Sequence, residues 1–300
     1  MSGELIEPQT HYLDCRSGEK ITVLEYKPIK ELQGIENKKG AILFTAALGV
    51  RQYYYRYLAS YLTKQDYQVY SIDYSGIGFS KLRDIRKYAS TTIQDWILEV
   101  EDALEWIVSR SDHKQPLFYI SHSLGGQIFG LLNNNQRFSG MISITSQNGY
   151  YKYYASKKFG YFIFWHIIVP PVTKIVGYFP SKWFNLGEAL PKKIGLSWKK
   201  WCTSPNYFFD DPLVPQVNNF VNYIGPILTL SFNDDPWATE LAVDSLVSHY
   251  SNASIEHRHL NPTDFGLSSI GHLGYFRPKC QHMWKELVDW MSSQSDELED

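Results

Sequence analysis

Along this chain, apolar runs of strand length alternate with segments whose apolar positions recur at helical spacing. Two alternating stretches, around 12–14 and 21–26, predict an opening antiparallel pair. A buried strand is expected over 41–46, a loop at 47–52, a helix over 53–64, a strand over 68–73 and a turn at 74–78. Residues 92–110 carry Ile93, Trp96, Ile97, Val100, Leu104, Ile107 and Val108 at helical spacing. A strand over 116–120, a helix from 127 and a strand over 140–145 follow. The rhythm resumes with a strand at 226–232, a helix at 238–249, a strand at 254–259 and a closing helix at 281–291. The acidic tail, 295–300, is expected to fray. The pattern predicts an α/β protein: a mostly parallel sheet flanked by crossover helices.

Between 150 and 221 the alternation stops. Close to a third of residues 150–209 are aromatic, interrupted by Pro170, Pro171, Pro180, Pro191 and Pro205. This predicts an irregular helical cap inserted on one edge of the sheet. The core is then 1–149 with 222–300, and the cap is 150–221. The strongest apolar run, 159–169, contains His166 and is expected to end at Pro170-Pro171, too short to span a bilayer.

Composition narrows the class. A chain of 300 residues, 44% hydrophobic, can bury a substantial core. Its net charge of −2 gives no reason to expect nucleic acid. Cys15, Cys202 and Cys280 are far apart, with no pair at metal-ligand spacing, and read as reduced thiols. Residues 1–10 show no apolar signal segment. These features predict a soluble cytoplasmic protein without a metal.

Candidate chemistry centres on Ser121-His122-Ser123-Leu124-Gly125-Gly126, between the 116–120 strand and the following helix. A serine on a strand-to-helix turn, with small residues two places either side, resembles the nucleophile elbow of α/β-hydrolases. The turn strains the serine backbone, exposes its hydroxyl at the C-terminal sheet edge and aims the Leu124 N–H at a developing oxyanion. Such a serine needs a histidine base oriented by a carboxylate, in the chain order Ser, acid, His. The 227–231 strand ends in Asn233-Asp234-Asp235-Pro236, and Asp235 is the expected acid, with Asp234 the alternative. Of nine histidines, His272 lies on a glycine-bracketed loop between the last strand and last helix, where this fold needs its base. His257 and His259 belong to the last strand, and His122 points away from the substrate. Ala46-Ala47-Leu48-Gly49 stands where many relatives read His-Gly-x-Gly, so the Leu48 N–H is the second expected oxyanion donor.

Further stretches carry a broader resemblance: 53–59, Asp73-Tyr74-Ser75-Gly76-Ile77-Gly78-Phe79-Ser80, Gly177-Tyr178-Phe179-Pro180, 187–202 and 270–277. From about residue 10 to 292 the chain resembles α/β-hydrolases of the serine aminopeptidase, monoacylglycerol lipase and hydrolase-4 type. The likeness is strongest to a bacterial group without an established substrate. It departs at Ser75, where relatives often carry Arg, and at Ser121 in place of Gly. The resemblance implies a Ser123–His272–Asp235 triad and no cofactor.

The reading is a serine hydrolase cleaving small-molecule acyl esters through an acyl-enzyme intermediate. Alternatives are a peptidase or amidase, which would want a fixed carboxylate for a substrate amine, and a non-catalytic binding protein. Between 150 and 205, nine lysines face the single acid Glu188, about +8 against about −10 for the remainder. Those lysines read either as the solvated face of cap helices or as a basic surface for an anionic membrane.

Overall fold

The computed structural model describes residues 5–28, 39–110 and 115–296. Ten strands are found there: β1 Gln9–Asp14, β2 Lys20–Tyr26, β3 Gly40–Thr45, β4 Tyr67–Asp73, β5 Leu117–His122, β6 Gly140–Ile144, β7 Tyr178–Phe179, β8 Leu190–Pro191, β9 Pro226–Phe232 and β10 Ser254–Leu260. Eight form one sheet in the order β1-β2-β4-β3-β5-β6-β9-β10. β1 and β2 pair antiparallel, β2 meets β4 antiparallel, and the remaining neighbours are parallel.

Period-two alternation builds the two layers. On β5, Phe118 and Ile120 join the core under helices α1 (Arg56–Thr63) and α7 (Lys285–Asp296). Leu117 and Tyr119 face the other side, with α2 (Ile93–Val108), α3 (Leu124–Phe129) and α6 (Glu240–Val247). β6 repeats the split, Ile142 and Ile144 against Met141. Helix α2 starts at a capping box between Thr92 and Asp95 and buries the apolar face expected from its spacing.

Two boundaries differ from the sequence expectation. β5 continues through Ser121 and His122, and α3 begins at Leu124 rather than at 127, so the connecting turn is the single residue Ser123. The tail expected to fray is helical through Asp296 and otherwise lies outside the described residues.

The segment between β6 and β9 is more regular than its composition predicted. It holds α4 (Lys158–Val176), the β7–β8 hairpin and α5 (Lys192–Cys202). The apolar run does not stop at Pro170-Pro171; it is part of one 19-residue helix, long and apolar enough to cross a membrane by length and composition. Proline removes an N–H from the helical ladder and usually ends or kinks it. Here the preceding turn, Phe164–Ile168, widens to π geometry, with the Val169 N–H bonded to the Phe164 carbonyl five residues back. The helix absorbs both prolines and ends at Gly177, whose φ of 85° closes a left-handed cap.

Candidate active site

Ser123 adopts φ 51° and ψ −110°, a strained conformation for a non-glycine residue that typically costs about 1–3 kcal/mol. Its neighbours impose the shape. The Ser123 N–H is bonded to the Ile144 carbonyl at 3.0 Å, pinning the turn to β6. A Cβ on Gly125 would stand 2.5 Å from Thr45 Oγ1, and one on Gly126 would collide with Ser146. The turn therefore requires glycine at both positions. Ser123 Oγ makes no hydrogen bond to any described residue and faces a cavity that His272 also lines.

His272 follows Gly271 on the loop after β10. Its Nδ1 lies 2.6 Å from Asp235 Oδ2. Asp235 stands past the end of β9, buried, and its Oδ1 accepts the Trp237 and Ala238 N–H groups at 2.9 and 3.1 Å. Burial pushes the Asp235 carboxyl up, but His272 and these donors outweigh it and hold the carboxyl below its usual range. Asp234, the alternative acid, is engaged elsewhere. Its two oxygens accept the Ile270 and Gly271 N–H groups at 2.8 and 2.9 Å, anchoring the loop that carries His272.

Leu48 and Leu124, the expected oxyanion donors, both line the same cavity. Neither N–H has a hydrogen-bond partner among the described residues. The loop carrying Leu48 is held by the insertion. The Gly49 carbonyl accepts the Glu188 N–H at 2.8 Å, and a Cβ on Gly187 would stand 2.5 Å from Gly49 O. Glu188 itself accepts Arg51 Nε at 2.7 Å and the Gly78 N–H at 2.8 Å.

The cavity encloses about 870 Å³ of empty space, its open mouth included. Aromatic rings from the insertion (Tyr154, Tyr161, Phe164, Trp165, Trp198 and Tyr207) make most of its far wall. At one side Gln127 donates to the Gln147 carbonyl at 2.8 Å and accepts from Tyr207 at 3.1 Å. No Asp, Glu, Lys or Arg is among the described lining residues.

Sequence reasoning set His122 aside because it points away from the substrate, and so missed what it does. Its Nδ1 lies 2.8 Å from the Tyr55 hydroxyl, and its Nε2 lies 2.9 Å from the His272 carbonyl. The same hydroxyl accepts the Ala47 N–H at 3.0 Å. Only one assignment satisfies all three: Tyr55 donates to Nδ1, and Nε2–H donates to His272 O. Burial keeps this imidazole neutral, well below its ordinary value of 6.5. Three loops, carrying Leu48, Ser123 and His272, are thus tied by one chain of hydrogen bonds. Tyr55 gives no signal in sequence, since its partner is 67 residues away. His257 and His259 share the Ser231 hydroxyl, each at 2.7 Å, as strand residues in a separate network.

The sheet order, the strained serine turn and the strand-end loops define the fold: the chain has the α/β-hydrolase fold. Residues 36–179, just under half of it, match the family described as serine aminopeptidase, S33. No curated protein matches the chain. Among solved structures it is similar to a soluble variant of monoglyceride lipase from Saccharomyces cerevisiae, at 12% identity and TM-score 0.68, covering 98% of this chain and 97% of that one. Est1E from Butyrivibrio proteoclasticus is similar at 12% identity and TM-score 0.57, covering 95% and 98%. The Pyrococcus horikoshii acylaminoacyl peptidase is similar at 13% identity and TM-score 0.61, over 97% of this chain but 42% of the peptidase. At such identities the likeness speaks to the fold alone.

Proposed function

We propose that the protein is a serine hydrolase of carboxylic esters with an apolar acyl part. The observation that carries this reading is Ser123 on its strained turn, sharing an aromatic cavity with a histidine whose Nδ1 meets a buried carboxylate. In this reading Ser123 Oγ attacks the ester carbonyl while His272 Nε2 takes its proton. Asp235 holds the imidazole and stabilises the imidazolium. The Leu48 and Leu124 N–H groups receive the oxyanion, each such donor typically being worth about 3–4 kcal/mol. His272 returns the proton to the leaving alcohol, and water then releases the acid from Ser123. The cavity's uncharged wall suits an acyl chain.

An aminopeptidase reading is supported less. It needs a carboxylate to hold the substrate amine, and the insertion's Glu188 is engaged by Arg51 and the Gly78 N–H. Hydrolysis of short p-nitrophenyl esters tests the proposal. Ser123→Ala and His272→Ala should each lower kcat by about 10⁴–10⁶-fold with the circular-dichroism spectrum unchanged, because such residues act as a unit. Full activity in either variant would overturn this assignment, and no hydrolysis by the unmodified chain would leave a binding protein on a hydrolase fold.

A further inference from the structure

Helix α4 has two different faces. Inward, Trp165, Val169 and Thr173 are buried, and Tyr161, Phe164 and Trp165 line the cavity. Outward, Phe159 is 76% exposed, Ile167 60% and Ile175 84%, and Trp183, just beyond the helix, is 65% exposed. Only 17% of the helix's most apolar stretch is buried. Scattered exposed apolar residues are ordinary, but a row of them along one helix marks a surface that is covered in use.

The charges beside the row say by what. Lys157 and Lys158 stand at the N-terminal end of α4, with Lys174 and Lys182 near the other end. All four are exposed and form no ion pair with a described residue. The first two sit at the positive pole of the helix, with no acidic residue in its first turn, so they work against its dipole rather than stabilising it. The segment 150–205 has nine lysines and one acid, while the rest of the chain is strongly negative. Such a charge distribution turns the insertion, not the core, toward a negatively charged surface.

We propose that α4 docks on an anionic lipid bilayer, lying in the plane of the headgroups with Phe159, Ile167 and Ile175 inserted and the lysines on lipid phosphates. Trp183 sits at the interface, where aromatic rings are favoured. The helix does not span the bilayer, because its inner face packs on the protein and walls the cavity. Docking also brings that wall to the lipid, which extends the proposed ester hydrolysis to lipid-borne esters. Only this extension rests on the hydrolase reading.

Co-sedimentation of the full chain with vesicles tests the docking without any turnover. The probes are phosphatidylcholine vesicles, and the same vesicles with about one third phosphatidylglycerol, each at about 0.05 and about 0.3 M salt. The expected result is affinity about tenfold or more higher for the anionic vesicles at low salt, falling at high salt. Phe159→Ser/Ile167→Ser/Ile175→Ser should weaken binding about tenfold on both vesicles, with helix content retained by circular dichroism. Lys157→Gln/Lys158→Gln/Lys174→Gln/Lys182→Gln should remove the anionic preference. Absence of vesicle binding by the unmodified chain would overturn the proposal, as would binding that neither variant alters. A stable dimer that the serine variant dissociates would overturn it too, assigning the row to a second copy. Ser123→Ala is carried in parallel: if it binds vesicles normally yet the unmodified chain hydrolyses no ester, docking stands and the hydrolase reading falls.

Discussion

At Ser123 the backbone does work that no side chain could do. With φ at 51°, the residue leaves β5 and enters α3 without an intervening loop, and the flanking glycines are needed because Thr45 and Ser146 pack against them. The carboxylates show a similar division of labour. Asp235 meets the imidazole, while Asp234 holds the backbone of the same loop. Asp235→Asn should therefore lower kcat on p-nitrophenyl esters by about 10⁴-fold, the usual cost of a lost orienting acid, with little change in stability. Asp234→Asn keeps one acceptor oxygen and should lower kcat far less, its effect showing first in thermal stability. Steady-state kinetics and thermal unfolding of both variants check this, and the reverse order would move the orienting role to Asp234. Ser123, Asp235 and His272 stand out as candidates in the sequence because chain order and loop position constrain them, and the structure brings His272 and Asp235 together. Choosing between adjacent aspartates was harder. Both follow the same strand end, and only the loop's path decides which one faces the imidazole.

At the scale of elements, the hydrogen-bond chain from Ala47 through Tyr55 and His122 to the His272 carbonyl locks three strand-end loops together. It also makes a pH prediction. His122 is fully buried and neutral in the folded protein, whereas in the unfolded chain it takes a proton below its ordinary value of 6.5. The unfolded state then binds more protons, so stability is complete above that pH and declines as pH falls through it. The decline approaches about 1.4 kcal/mol per pH unit for this one group. Denaturant titrations at pH about 7.5 and about 5.5 measure it. His122→Gln, whose Nε2 can still reach the His272 carbonyl, should be less stable at pH 7.5 but show a shallower decline. Equal declines in the two proteins would contradict this role. The strands and α2 were readable from periodicity, since their burial pattern is written in the apolar spacing. Helix α4 was not. Two consecutive prolines read as a stop, and nothing local announces the π-turn that carries the helix past them.

For the whole molecule, the parallel order β3-β5-β6-β9-β10 gathers the candidate-site loops at one sheet edge. The loop carrying Leu48 follows β3, the Ser123 turn β5, Asp235 β9 and the His272 loop β10. The insertion between β6 and β9 roofs that edge with aromatic side chains and leaves a cavity without fixed charge among its described lining. The sequence order of these parts was legible, because each follows a recognisable strand. The cavity wall was not, since aromatic residues packed in the insertion's own core and those facing the pocket have the same composition. If this edge carries a nucleophilic serine, covalent labelling will find it. The protein is treated with a fluorophosphonate, digested, and its peptides are weighed by mass spectrometry. One phosphonyl adduct is expected, on the peptide containing Ser123, absent from Ser123→Ala and strongly slowed in His272→Ala. An unlabelled Ser123, or equal labelling in the His272→Ala variant, would contradict it.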